Sequence, residues 1–404
     1  MARRPAAETS RGRPFLAAAL ALNVIGIAFI HSTTADGRPF PSPAAQGQIL
    51  KAAIGLAAFF IVSRLDYRIF DRAAYAIYAG LCAVLCAMIV LRFASGEAHR
   101  YFELKLFQVQ PSELMKLSLV LALARYLRFR EDQGQVAGLV GPFLLTLVPM
   151  ALVLLQPDLG TSLMFPPILV CMLFIAGARP RHLLTAVAIG LALLPVAYFA
   201  GDSLRMIPAY QRDRITAYVQ RDEATARNEG FHLRQSEIAI GSGGFQGKGY
   251  NEGTQNVLKH LRESHTDFIF SIIAEEAGFL GGVLVIGLAA FLACSLAQVG
   301  VATREPFGRL VAAGVAAGFA AQSFENIGMT MGLTPITGVP LPFVSLGGSS
   351  LVASYLALGV VVSIVSRPVR VVASRDLEPV DARQPSLVFD RQARGLLEHR
   401  WPTE

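Results

Sequence analysis

The sequence predicts an all-α, polytopic membrane protein of about ten transmembrane helices, with one large extracytoplasmic loop between helices seven and eight. Three observations carry that expectation. Of 404 residues, 53% are hydrophobic and only 16% charged, and the mean hydropathy is +0.48, which is more apolar than a soluble core requires. About ten spans of about 20 residues would use roughly 200 positions and leave a similar number for loops and tails. The arginines fall between apolar runs rather than in one patch, so the net charge of +7 marks topology and not a nucleic-acid surface. The same balance excludes a disordered regulator, a secreted disulfide scaffold and an ordinary cytosolic enzyme. Cys82, Cys86, Cys171 and Cys294 all lie inside apolar runs, where a thiol acts as a small hydrophobe.

The runs fall at 15–30, 49–62, 73–93, 113–126, 139–155, 162–176, 183–200, 267–297, 310–332 and 343–366. The first follows Arg3, Arg4, Arg11 and Arg13 in the manner of a signal peptide. The many further spans favour an uncleaved helix preceded by a cytoplasmic N-terminus at 1–13. The fourth run is short, and Glu113 and Lys116 at its start predict a polar-lined entrance. The eighth is too long for one span. Glu275, Glu276 and the glycines at 278, 281 and 282 predict a lead-in segment followed by the span proper. With the N-terminus inside, Arg64, Arg68, Arg72, Arg125, Arg128, Arg130, Arg179, Arg181, Arg304 and Arg309 fall in inner loops, against Arg38, Arg100 and Lys105 in the short outer ones. The membrane domain then covers 14–366, and a mixed-charge, proline-bearing cytoplasmic tail, predicted to be disordered, covers 367–404.

The outer loop at 201–266 is far longer than a connector needs. Its stretch Ile207 to Arg221 predicts an interfacial helix with Ile207, Tyr210, Ile215 and Tyr218 on one side. The glycine cluster from Gly241 to Gly249 tempts a phosphate-loop reading. That reading fails, because no glycine stands five residues before Gly247 and Gly249 follows Lys248 where Ser or Thr is required.

Spans four, six, eight and ten begin outside with polar chemistry: Gln110-Pro-Ser-Glu113 with Lys116, Gln156-Pro-Asp158, His265-Thr-Asp267, and Ser345 to Ser350. Helix N-termini opening on one depression favour an anion such as a diphosphate. Each motif also has a plain structural role. Ser112, Asp158 and Asp267 stand where N-caps belong, and Glu113 and Lys116 at i, i+3 make an ion pair on one helix face. Glu275, Glu276 and Glu325 with Asn326 equally serve packing against backbone donors, and a lone interfacial His265 is an ordinary hydrogen-bonding side chain. Charge near the bilayer is costly, about 2.5 kcal/mol or more per group at the centre, so several such groups at one face favour a site.

The runs Ile238 to Gly244, Gly247-Lys-Gly249, Gly253-Thr-Gln255, Glu263 to Phe270 with Ala274-Glu-Glu276, Pro335 to Phe343, and Gly347 to Ser350 closely resemble the SEDS family (shape, elongation, division and sporulation). With the Gln-Pro-Ser-Glu and Gln-Pro-Asp-Leu-Gly motifs the similarity extends from Arg100 to Ser366. Gly-Thr-Gln, Ala-Glu-Glu and Pro-Ile-Thr-Gly look like its elongation, RodA-like branch rather than the division branch. The resemblance implies a peptidoglycan glycosyltransferase of the bacterial inner membrane that polymerises lipid II on the outer face. It implies Asp267 as catalytic base; the charged and polar groups at the outer helix starts and loops supply the further candidates, Glu113 and Lys116 for catalysis and Arg100, Asp158, Arg214, Lys248, His265, Ser349 and Ser350 for the substrate. It also implies a divalent cation, Mg2+ or Mn2+, and the alternative to the base role is that Asp267 or Glu113 instead holds that metal against the diphosphate. The implied partner is a class B penicillin-binding protein, because no transpeptidase Ser-x-x-Lys module is present in the chain. Three positions depart from the family pattern: Tyr101 for tryptophan, Arg262 for proline and Leu346 for tyrosine. Arg262, five residues before Asp267, alters the charge near the implied base. A lipid II flippase and a non-catalytic scaffold for the penicillin-binding protein are the competing readings. No internal repeat supports the transporter.

Overall fold

The computed structural model describes residues 13–35, 39–95, 101–103, 108–130, 134–203, 229–257 and 264–367. The predicted interfacial helix at 207–221, the tail beyond Arg367, and Arg38, Arg100, Lys105, Arg214 and Arg262 lie outside the described residues.

Each run predicted as a span is helical. In chain order the described elements are α1 (Arg13–Thr34), α2 (Pro43–Arg64), α3 (Tyr67–Ser95), the two-residue strands β1 (Phe102–Glu103) and β2 (Gln108–Val109), α4 (Pro111–Leu127) and α5 (Val136–Leu155). They continue with α6 (Leu159–Ser162), α7 (Phe165–Ile175), α8 (Pro180–Ser203), α9 (Glu229–Ser242), α10 (Thr254–Val257), α11 (Ile269–Glu276), α12 (Gly278–Ala302), α13 (Pro306–Thr330) and α14 (Gly348–Ser366). Six of these, α1, α2, α3, α5, α12 and α14, are long and apolar enough to cross a membrane, and Leu159–Ile175 and Pro180–Leu193 are shorter apolar stretches.

Helices α4 and α13 fall outside that set for a physical reason: they form the centre of the bundle and carry its polar groups. Twelve of the seventeen residues of α4 are buried, Glu113 among them, and α13 buries Gln322 and Asn326. By contrast only 22% of the apolar window of α3 is buried, against 67% for α14. Ile61, Val90, Phe93, Leu144, Leu191 and Val301 are exposed on the peripheral helices, as expected where the solvent is lipid.

Helices α2 and α14 run side by side in the same direction. Gln48 Nε2 donates to the Ser345 carbonyl at 3.1 Å near one end, and Ser363 Oγ donates to the Leu65 carbonyl at 2.6 Å near the other. Between them Gly55 leaves room for the ring of Tyr355, whose Cδ2 would lie 2.5 Å from an added Cβ. The second end collects the arginines. Asp71 takes Arg125 at 3.6 Å and also pairs with Arg128, while Tyr67 stacks on Phe307.

The long eighth run breaks where predicted, between α11 and α12, and the glycine cluster is the reason. Helix α11 ends with carbonyls that have no intrahelical partner. Lys248 N–H bonds the Glu275 carbonyl at 3.0 Å and Gly249 N–H that of Glu276 at 3.1 Å, while Phe279 N–H reaches the Gly244 carbonyl at 2.9 Å. The cluster is thus a clamp on a helix junction. Gly278 has φ +66°, and a Cβ there would stand 2.3 Å from the Gly247 nitrogen. Gly278→Ala therefore adds left-handed strain to a backbone clash, each costing about 1–3 kcal/mol. A clear drop in the thermal midpoint of the detergent-purified protein is the expected outcome. An unchanged midpoint would mean the junction relaxes without it.

Candidate functional site

The end of the bundle opposite the arginines holds the polar motifs. Pro111 occupies the first helical position of α4, where its missing N–H costs nothing. Asp158 does cap a helix, accepting Thr161 N–H at 3.2 Å through Oδ1. Its Oδ2 accepts Gln110 Nε2 at 2.7 Å and Ser112 Oγ at 3.2 Å. Ser112 is therefore a donor to Asp158 and not a cap of α4, whose cap position is held by Gln110 without a side-chain bond. Ser349 Oγ donates to the Gln108 carbonyl at 2.6 Å and accepts Gln110 N–H at 2.8 Å. That pair of bonds ties the β1–β2 hairpin to the first turn of α14.

Glu113 and Lys116 form the ion pair their spacing predicts, with Nζ at 2.9 Å from Oε2 and 3.0 Å from Oε1. Lys116 also donates to Gln322 Oε1 on α13 at 2.9 Å, and Gln322 Nε2 donates to the Pro340 carbonyl at 2.8 Å and to Ser350 Oγ at 3.4 Å. These groups stand at the polar end of a small cleft, about 50 Å³, between α4, α7, α13 and α14. Away from them the cleft is walled by apolar side chains such as Val120 and Ile168 and by the backbone of Gly314 and Gly318.

Asp267 lies half-buried in the turn that leads into α11. It is not the helix cap, because Phe268 holds that position. The backbone around it is stitched to neighbouring elements. The Asp267 carbonyl accepts Asn326 Nδ2 at 3.0 Å, the Thr266 carbonyl accepts Ser345 Oγ at 2.6 Å, and the His265 carbonyl accepts Leu346 N–H at 2.9 Å. Asn326 also donates to the Val339 carbonyl at 2.8 Å. Gln322 and Asn326 are one turn apart on α13, so the Lys116 ammonium and the Asp267 turn attach to that helix about 6 Å apart along its axis. Asp267 is not among the residues lining the Glu113–Lys116 cleft.

Lys248 is held elsewhere. Its Nζ contacts Glu275 Oε1 at 2.6 Å and Thr254 Oγ1 at 2.7 Å, and Gln255 N–H bonds the same carboxylate oxygen at 3.2 Å. Glu276 is bonded by Ser32 Oγ at 2.6 Å and by Asn251 N–H at 3.0 Å. These two buried glutamates latch the glycine cluster to α11 and α1, the packing role open to them from sequence. Arg100 and Arg214 lie outside the described residues. Sequence reasoning missed Gln322. The available signal was an amide inside an apolar run, which must find a partner in the bundle.

Among the described residues no three His, Cys, Asp or Glu side chains are grouped to hold a metal ion, and the Glu113 carboxylate is already engaged by Lys116. The described donor set therefore does not form a protein cage for a divalent cation.

A helical bundle with apolar spans, buried polar groups at one end and an apolar cleft beside them defines a polytopic membrane protein. The chain matches the family FTSW_RODA_SPOVE, described as cell cycle protein, over residues 13–368, and it belongs to that family, the SEDS proteins. It is 33% identical over 362 residues to the probable peptidoglycan glycosyltransferase FtsW of Geobacter metallireducens, covering 86% of this chain and 93% of the relative. It is 34% identical over 318 residues to the peptidoglycan glycosyltransferase MrdB of Escherichia coli strain K12, covering 79% and 84%. Among solved structures, the Thermus thermophilus rod shape determining protein RodA aligns with a TM-score of 0.63 at 29% identity, covering 87% of this chain and 95% of that one. A chain from a structure described as "structural coordination of polymerization and crosslinking by a peptidoglycan synthase complex" aligns with a TM-score of 0.71 at 29% identity, covering 87% and 96%.

Proposed function

We propose that this protein is a peptidoglycan glycosyltransferase that polymerises lipid II on the outer face of the cytoplasmic membrane during cell elongation. The single observation that carries the reading is the buried Glu113–Lys116 pair at the polar end of an apolar cleft, one α13 turn from the Asp267 turn. A lipid-linked diphosphate needs both halves of that arrangement: a cation for the phosphates and an apolar trough for the tail. The arginine-rich end faces the cytoplasm by the positive-inside rule, which puts the site outside and both termini inside.

Asp267 takes the proton from the acceptor sugar hydroxyl as its oxygen attacks the donor's anomeric carbon. The bond from that carbon to the diphosphate breaks, and the α-linked donor becomes a β-1,4 glycan in one inversion. Lys116, oriented by Glu113 and Gln322, stabilises the charge that grows on the leaving diphosphate. A divalent cation enters with the diphosphate as part of the substrate. The elongation role rests on the Gly253-Thr-Gln255, Ala274-Glu-Glu276 and Pro335-Ile-Thr-Gly338 motifs, and a class B penicillin-binding protein is the cross-linking partner.

The test is purified full-length protein given lipid II and a divalent cation, with glycan strands resolved on a gel. Strand formation is the expected result. Vesicles that translocate labelled lipid II without polymer would make the protein a transporter instead.

A further inference from the structure

Lys51 is a second cation of the membrane domain that the site above leaves unused. It stands within α2, eight residues or about 12 Å along from Pro43. It is half-buried, in a helix where charge is expensive. Lys116 and Lys248 are each paired with a buried glutamate. Lys51 has no ion pair or hydrogen bond among the described residues. Its stem lies across Gly348, where an added Cβ would meet Cδ at 3.2 Å and Cε at 3.3 Å.

That glycine opens α14, a helix of 19 residues whose cap residue, Gly347, provides no side-chain bond. The first N–H groups of a helix lack intrahelical partners and form its positive end. An ammonium beside them is repelled rather than compensated, so both call for the same counter-charge. One turn earlier on the same face of α2, Gln48 is fully buried. Its Nε2 is spent on the Ser345 carbonyl at the approach to α14, while its Oε1 is buried without a partner. A cation and open helix donors therefore meet at Gly348, and the orphaned amide oxygen belongs to a side chain one turn away that is bonded to Ser345, three residues before that glycine. The complementary ligand carries an anionic phosphate and a hydroxyl or amide donor on one head group.

We propose that Lys51 and the first turn of α14 form a binding site for the phosphate head group of a membrane lipid. Two lipids offer that chemistry: phosphatidylglycerol, with hydroxyls beside its phosphodiester, and a saccharide-diphosphate lipid, with sugar hydroxyls. The first source is independent of the proposed function; the second rests on it.

The experiment compares full-length wild type, Lys51→Gln and Lys51→Arg. Retention of phosphatidylglycerol over phosphatidylcholine is read by native mass spectrometry, and initial rates are taken against lipid II concentration. Selective retention that falls roughly tenfold in Lys51→Gln and returns in Lys51→Arg, the scale of one charge-assisted hydrogen bond, supports the phospholipid. A KM for lipid II raised on the same scale in Lys51→Gln, with kcat unchanged, supports the saccharide-diphosphate lipid. If Lys51→Gln does not elute as a folded monodisperse species, Lys51→Met replaces it in both arms. Retention and KM both unmoved by loss of the charge would overturn the proposal. The retention arm needs no turnover, so it stands apart from any failure of the enzymatic reading.

Discussion

Asp267→Asn lowers glycan synthesis at least about 100-fold, the lower end of what a positioned general base contributes, while the protein elutes and melts as wild type does. The expectation of an intact fold follows from how the turn is held. The bonds from Asn326, Ser345 and Leu346 all fall on carbonyls of residues 265–267, and an amide in place of the carboxylate leaves those carbonyls where they are. What is lost is the capacity to accept a proton from the attacking hydroxyl. Asp267→Glu keeps the carboxylate but displaces it by a methylene, so an intermediate rate is expected from misplacement alone. The rates are measured as kcat/KM with lipid II, alongside thermal unfolding in detergent. Wild-type turnover by the Asn variant would move the base elsewhere, with Glu113 the next carboxylate to examine.

The spans were legible because a long apolar helix is written in consecutive residues and needs no knowledge of its neighbours. The break at Gly278 was legible for the same reason, as glycines and glutamates interrupt an otherwise apolar run. Helix caps were less so: Asp158 caps α6, yet Asp267 does not cap α11 and Ser112 does not cap α4. Capping depends on the residue at which the chain turns into its helix, and residue type alone does not fix that. Pairings across the chain were hidden altogether. Lys248 reads from sequence as a free cation near a phosphate, and only folding brings Glu275, 27 positions on, to its ammonium. Gln322 serves Lys116 from 206 positions away. Such contacts are set by which helices the bundle makes adjacent, which local periodicity does not encode.

Lys116→Met and Glu113→Gln are expected to destabilise to different degrees and to have the same consequence for activity. Both partners are nearly enclosed, with side chains 13% and 4% exposed. Removing the lysine leaves the Glu113 carboxylate buried without its cation, and breaking a buried pair in this way costs about 3–5 kcal/mol. Glu113→Gln is milder, because Lys116 keeps Gln322 as an acceptor and the new amide can still accept from it. In the double variant no charge is left unbalanced, so the thermal midpoint recovers toward wild type. Glycan synthesis does not recover, since the ammonium that meets the leaving diphosphate is gone. The discriminating measurement is therefore the double variant, assayed for unfolding and for kcat/KM with lipid II. If stability and turnover return together, the pair is only a structural strut and the leaving-group role passes to another cation. If stability returns alone, the charge of Lys116 acts on the substrate, and the buried glutamate is there to hold that charge at the polar end of the cleft.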